Sequence, residues 1–398
     1  IVADGNVVSG RSCAPKGGPE ACVITAFDAL TGQELWRRHT IPRPGEPGDE
    51  TWGDIPYAER RHVGTWLVPS FDPESNLIYI GTSVTSPAPK FMLAGNDEQY
   101  LYHNSTLALD ADTGEIKWYL QHVVDHWDLD HPFERLLVDT VVTPDPRSVK
   151  WINPRLRPGE VRKVVTGVPG KTGLVYTVDR ETGQFLWARE TIEQNVIAEV
   201  NTESGAAVVN PDVLYTGVGQ QHLVCPSLNG GKNYHSSTYS PLTKAMYVPL
   251  HNTCMQATSN SEVWQPDDAY ALDTNLQLPP GVENAGSIEA ISVETGRTLW
   301  KHEQRAVTTS LMTTASGLLF GGDANGRFRA YDQRSGEILW EVNLGSHVTG
   351  YPATFAVDGK QYIAVSTGGS LNTLSLMRLA PELRSGTVNQ LYVFALPD

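Results

Sequence analysis

Long apolar runs are missing from this chain. No stretch reaches the roughly 18 consecutive apolar residues of a membrane-spanning helix, so nothing in it reads as a membrane span. Positive charge is also short, with 30 Lys and Arg against 45 Asp and Glu and a net charge of −15. Such a surface repels nucleic acid and anionic lipid, and leaves a cationic protein as the compatible macromolecular partner. Cysteine is scarce: four residues fall into the pairs Cys13/Cys22 and Cys225/Cys254, with no C-x-x-C zinc knuckle and no C-x-x-C-H haem attachment. Two disulfides formed in an oxidising compartment is the first reading of these pairs, and buried free thiols the other. The opening IVADGNVVSG has neither Met nor a signal peptide and reads as a strand already under way, which predicts a cut N-terminus.

What the chain does have is turn punctuation, with 36 Gly and 26 Pro between short β-branched or aromatic runs such as LIYIGT, GLVYTV, AMYVPL, GLLFGG and LYVFAL. No helical period is sustained, so the expected class is all-β with few helices. An internal repeat sharpens this. AFDALTGQELW, ALDADTGEIKW, TVDRETGQFLW, ISVETGRTLW and AYDQRSGEILW each place a Thr-Gly or Ser-Gly turn four residues before a Trp, at Trp36, Trp118, Trp187, Trp300 and Trp340. The last two lie 40 residues apart and the first two 82, one and two lengths of a four-stranded propeller blade. Each repeat predicts a strand ending at the Asp, a tight turn at the Gly, and a strand delivering an indole to the gap between neighbouring sheets.

Long Pro/Gly-rich insertions at 37–65, 85–104, 123–168 and 252–286 interrupt the repeats, and loops of that length in a compact fold are usually functional. The third begins with VVDHWDLDHPFE, which crowds acidic side chains and histidines around Trp127. His122, His126 and His131 lack the i, i+4 pairing of a helical zinc site, and turn or supporting roles are expected of them.

The repeated D-x-x-T-G-x-x-x-W resembles the tryptophan-docking motif of the quinoprotein alcohol dehydrogenases, and the likeness runs on through VPSFDPESNLIYIGT, DHWD, GLVYTVDRETG, CPSLNGGKN and the closing LYVFALPD. The resemblance implies an eight-bladed β-propeller that carries pyrroloquinoline quinone (PQQ) and a metal ion on its axis. It implies about six blades in residues 1–398, forming one propeller domain that lacks the family's first blades and its ring of adjacent cysteines. The sequence leaves open whether that part is a separate chain, was removed by proteolysis or never existed; an open propeller exposes sheet edges, and a missing N-terminal segment or a homodimer is the candidate partner. GTSVTSPAPKF and VVDHWDLDHPFE look most like the branch containing sorbose dehydrogenases and the dehydrogenases that oxidise trichothecene mycotoxins.

Carried over residue by residue, the resemblance makes Asp128 the general base and a metal ligand. An additional acid at Asp130 goes with a lanthanide, because a larger trivalent ion takes more oxygen ligands. Calcium is expected first and a lanthanide second. The pattern departs from the family at two metal positions: no Asn stands in GTSVTSPAP, where Val84 or Ser86 takes the place, and Glu20 is the only acid near GRSC. Trp66 is expected to lie against the PQQ ring. Lys171 is expected against the quinone oxygens, where a cation stabilises developing charge. Asn233 is expected to hydrogen-bond the cofactor, and Ser12 and Arg11 to bind a PQQ carboxylate. Cys225 and Cys254 match a disulfide. The plain alternatives are a turn-capping carboxylate for Asp128, a core tryptophan for Trp66, a solvated lysine for Lys171 and a turn residue for Asn233.

Together these imply a periplasmic or secreted PQQ-dependent dehydrogenase that turns primary or secondary alcohols, polyols among them, into aldehydes or ketones. Its electrons would leave to an external acceptor such as a cytochrome c, since no haem site is present. The rivals are a non-catalytic propeller scaffold for protein binding and an inactive fragment of a larger dehydrogenase.

Overall fold

Six antiparallel meanders follow one another along the chain. The structure, a computed structural model, describes all residues except 14–16, 87, 89, 94–97, 261–270, 308 and 397–398. The first blade holds Val2–Ala3, Asn6–Ser9, Val23–Asp28 and Glu34–His39, and the second Ser70–Asp72, Leu77–Gly81, Ser105–Asp110 and Ile116–Gln121. The third holds Leu136–Val142, Glu160–Gly167, Leu174–Asp179 and Phe185–Glu190, with Trp151–Ile152 added beyond its last strand. The fourth holds Thr238–Ser240, Ala245–His251, Gly286–Ser292 and Thr298–Gln304, and the fifth Met312–Thr313, Leu318–Gly322, Arg327–Asp332 and Ile338–Asn343. The sixth has three strands, Ala353–Val357, Lys360–Thr367 and Gln390–Ala395. Among the described residues one α-helix occurs, Leu371–Met377. The all-β propeller expected from the repeats is the observed architecture.

The five repeats fold alike for a local reason. Asp28 Oδ1 accepts from the amides of Leu30 and Thr31 and from the Thr31 hydroxyl, and Asp110, Asp179 and Asp332 cap their turns in the same way. In ISVETG the cap is Ser292 Oγ, which accepts from the Thr295 amide. Beyond each turn the register shifts by a bulge, after which Ala26, Ala108, Thr177, Ala290 and Ala330 stand opposite the five tryptophans. The extra residue twists the strand, and the tryptophan leans over the next blade. Trp36 Nε1 donates to Ala111 O, Trp118 Nε1 to Arg180 O and Trp300 Nε1 to Gln333 O. Trp36 covers Gly114 so closely that a Cβ there would lie 2.4 Å from the ring, and Gly114 has φ 68°. Space and backbone therefore both select glycine.

The hydrophobic core accordingly lies in the seams between blades. Ile24 and Trp36 meet Ile78 and Leu107 in the first seam, and Trp187 meets Met246 and Val248 in the third. Middle strands such as Leu77–Gly81 and Ala245–His251 are buried along their whole length, as covering on both faces requires. The sixth blade is different: Phe355, Val357, Leu391 and Val393 are exposed.

The first two expected insertions hold short 3-10 turns, and the other two contain whole strands. Within 123–168, Leu136–Val142 and Glu160–Gly167 form the first pair of strands of the third blade, each with three Val, joined by a Pro-rich connection. Within 252–286, Cys254–Ser259 and Leu272–Gln277 join Gln221–Val224 in a small sheet, and 261–270 lies outside the described residues. A hairpin of Ile197–Val200 and Ala207–Val209 precedes it. Both expected disulfides, Cys13–Cys22 and Cys225–Cys254, are formed.

Candidate active site

In an up-and-down meander, the connection from second to third strand and the exit from the fourth emerge at one end of the sheet. The Thr-Gly turns lie at the other. Residues 10–12, 64–66, 82–86, 122–134, 168–173 and 229–233 all belong to the first end, and hydrogen bonds stitch them into an arc. Thr65 N donates to Arg11 O and Ser83 N to Gly64 O. Val84 N donates to Asp130 Oδ1. Lys171 N donates to Asp130 O and Gly231 N to Lys171 O.

At the middle of the arc the Lys171 ammonium donates to Asp128 Oδ1 at 2.8 Å, to Asp128 O at 2.9 Å and to Asp130 Oδ2 at 3.0 Å. An ammonium has three donors, so all are engaged. The side chains of Lys171 and Asp130 are nearly buried and that of Asp128 is mostly so. Burial works against the Lys171 charge, but the two carboxylates outweigh it and hold the ammonium protonated above the ordinary lysine range. Burial pushes the Asp128 carboxyl well up, and Asp130 adds to the rise against the pull of Lys171. For Asp130, burial is outweighed by Lys171, His62 and the Val84 amide, and its pKa is lowered. Two carboxylates and one ammonium leave one negative charge uncompensated, and Asp128 is the member with the raised proton affinity.

Trp66 is half-buried, and its ring meets Phe133 at 5.9 Å and 80°. No parallel ring covers it among the described residues. Arg11 and Ser12, both exposed, run beside it through the Arg11–Thr65 pairing. Asn233 is buried in the neighbouring turn, but its amide nitrogen donates to Asn229 O and its oxygen accepts from Tyr234 N. Its polar atoms serve the turn that carries it. The adjacent Lys232 reaches into the arc, pairing with Glu134 at 2.8 Å and lying 4.7 Å from the Phe133 ring centroid.

Glu20 is not brought to this cluster. It sits in a short turn, Pro19–Ala21, and its exposed carboxylate binds Arg43 and the Tyr57 hydroxyl at 2.8 Å each. The Cys13–Cys22 link and Pro19 close that loop on itself. Where the missing family Asn would stand, Val84 offers only its backbone amide to Asp130, and the buried Ser86 hydroxyl has no partner among the described residues. No group of three or more His, Cys, Asp or Glu gathers around a common point among the described residues. The histidines keep supporting roles: His122 Nε2 pairs with Thr106, His131 Nε2 with Thr172, and the two rings stack 5.0 Å apart.

The repeated meanders with their docked tryptophans are a propeller, and its loop end carries both the acid–lysine cluster and the half-open indole of Trp66. A family model described as PQQ, glucose/ethanol/alcohol dehydrogenase, beta-propeller domain, matches residues 1–204 and 282–363, and the chain belongs to that family. It is 29% identical to the quinohemoprotein alcohol dehydrogenase ADH-IIG of Pseudomonas putida over 96% of its length and 54% of that protein's. It is also 29% identical to methanol dehydrogenase [cytochrome c] subunit 1 of Methylorubrum extorquens, over 87% of this chain and 56% of that one. The solved structure of ADHIIG from Pseudomonas putida HK5 superposes with a TM-score of 0.81, at 28% identity over 98% of this chain and 58% of that one. The chain thus spans about half the length of the curated relatives it matches.

Proposed function

We propose that this chain carries the catalytic loops of a PQQ-dependent dehydrogenase oxidising primary or secondary alcohols, with polyols or bulky secondary alcohols as the substrate class. The observation that carries the reading is the Lys171 ammonium shared by Asp128 and Asp130. Oxidising an alcohol to a carbonyl removes two electrons and two protons. PQQ supplies the hydride acceptor that no side chain can be.

The chain's own part is the hydroxyl proton. Asp128 takes it, and the cluster of net charge −1 becomes neutral, a change that burial favours. Lys171 holds the carboxylate in one orientation before transfer and keeps Asp130 as its counter-charge afterwards. Trp66, half-open and uncovered by a parallel ring, suits a planar polyanion, and Arg11 beside it supplies charge for a carboxylate. Asn233 remains with its turn.

The metal set is incomplete. A calcium or lanthanide ion has two carboxylates to bind here, both occupied by Lys171, and to take them it must displace the ammonium. Proton removal in this account therefore rests on the side chains. The two disulfides suit a periplasmic or secreted protein, and an external acceptor such as a cytochrome c, named for the methanol dehydrogenase relative, takes the electrons in this reading.

One observation favours a second reading, a binding scaffold: every Lys171 donor is already satisfied within the protein. Reconstitution separates the two. The full chain, incubated with PQQ and with Ca²⁺ or La³⁺, is expected to take up the quinone and reduce a dye in the presence of an alcohol. Absence of PQQ uptake with either ion would sink the enzyme reading in favour of the scaffold.

A further inference from the structure

Asp128 has φ 73°, an uncommon backbone conformation for a residue with a Cβ. Something must hold it there. Three residues earlier, the fully buried Asp125 accepts from the Trp127 amide at Oδ1 and from the Asp128 and Leu129 amides at Oδ2, each at 3.0 Å. One carboxylate thereby fixes three successive peptide groups around the candidate base. Asp125 is itself anchored, since its amide donates to His103 Nε2 at 3.2 Å and His103 Nδ1 binds Tyr100 O.

A buried carboxylate needs a counter-charge. Lys90 is fully buried, its ammonium lies 5.5 Å from the Tyr100 ring centroid, and it has no hydrogen-bond partner among the described residues. Its amide approaches His126 Nδ1 at 3.4 Å, which places it against the same loop. Burial pushes the Lys90 pKa down to about 7 from the ordinary 10.5, and the charge of Asp125 opposes that fall.

We propose that Asp125 is a positioning residue for Asp128, holding the 125–129 turn through three amide hydrogen bonds, with Lys90 as its buried counter-charge. The inference rests on Asp128 being the base. Asp125 touches neither substrate nor cofactor in this account; it acts through the backbone of its neighbours.

The test uses the full chain and Asp125→Asn, Asp125→Ala and Lys90→Met. Asp125→Asn keeps the shape but turns a donor toward amides that are themselves donors. Amide hydrogen exchange needs no cofactor: at residues 127–129 it is expected to accelerate by about tenfold or more in Asp125→Asn, while blade strands stay protected. In PQQ-loaded protein, kcat is expected to fall by about tenfold or more, with KM and PQQ uptake within about twofold. Lys90→Met, which leaves every amide acceptor in place, is expected to give a smaller change in the same direction. It also stands in if Asp125→Ala does not fold. Unchanged exchange at 127–129 in Asp125→Asn overturns the proposal, as does faster exchange with kcat intact. If wild-type protein takes up no PQQ, the dehydrogenase reading fails by itself and the exchange result still decides the role of Asp125.

Discussion

Lys171 stands 2.8 Å from Asp128 Oδ1 and 3.0 Å from Asp130 Oδ2, one ammonium shared by two carboxylates two residues apart. The candidate base is thus held by a cation contributed from the neighbouring connection of the third blade.

Removing that cation leaves two buried carboxylates facing each other. Lys171→Met is expected to lose about 3–5 kcal/mol of stability, and calcium is expected to restore part of it by occupying the vacated space. Thermal unfolding with and without CaCl₂ checks this: the variant's Tm should rise with calcium far more than the wild type's. Equal responses would mean that Lys171 does not compete with an ion.

The docking tryptophans differ in burial, with Trp187 fully buried and Trp340 40% exposed. Trp187→Ala is expected to cost about 3–5 kcal/mol, as for other large core rings. Trp340→Ala should cost clearly less, because much of its ring is already in water. Urea unfolding of the two variants ranks them.

His251 is buried, which pushes its pKa down to about 4 from the ordinary 6.5, helped by Lys232 and opposed by hydrogen bonding to the Val307 and Asn229 backbones. The unfolded chain takes this proton below about pH 6.5, whereas the folded one resists until about pH 4. The stability it contributes is therefore present above pH 6.5 and lost as pH falls, at up to about 1.4 kcal/mol per pH unit. His251→Gln, able to donate to Val307 O as Nε2 does across 2.9 Å, should flatten the stability slope over that window in urea titrations at stepped pH.

The blade repeat was legible because its physics is local: Asp, Gly and Trp at fixed offsets build the capped turn, the bulge and the docked indole. The site was legible only through likeness. Asp128 and Lys171 are 43 residues apart, and no periodicity joins them; the shared loop end of consecutive meanders does. Glu20 was misleading for a related reason, since nearness in sequence to GRSC says nothing of a loop closed by its own disulfide. Asp125 went unassigned among the acids of VVDHWDLDHPFE. Only burial and three amide partners set it apart, and neither shows in composition.

The most direct test compares turnover of PQQ-loaded wild type and Asp128→Asn at equal quinone occupancy. The asparagine keeps the size and loses the proton acceptor, so occupancy should hold while alcohol-dependent dye reduction falls by about 100-fold or more. Full occupancy with turnover near that of the wild type would contradict the assignment of Asp128 as the base.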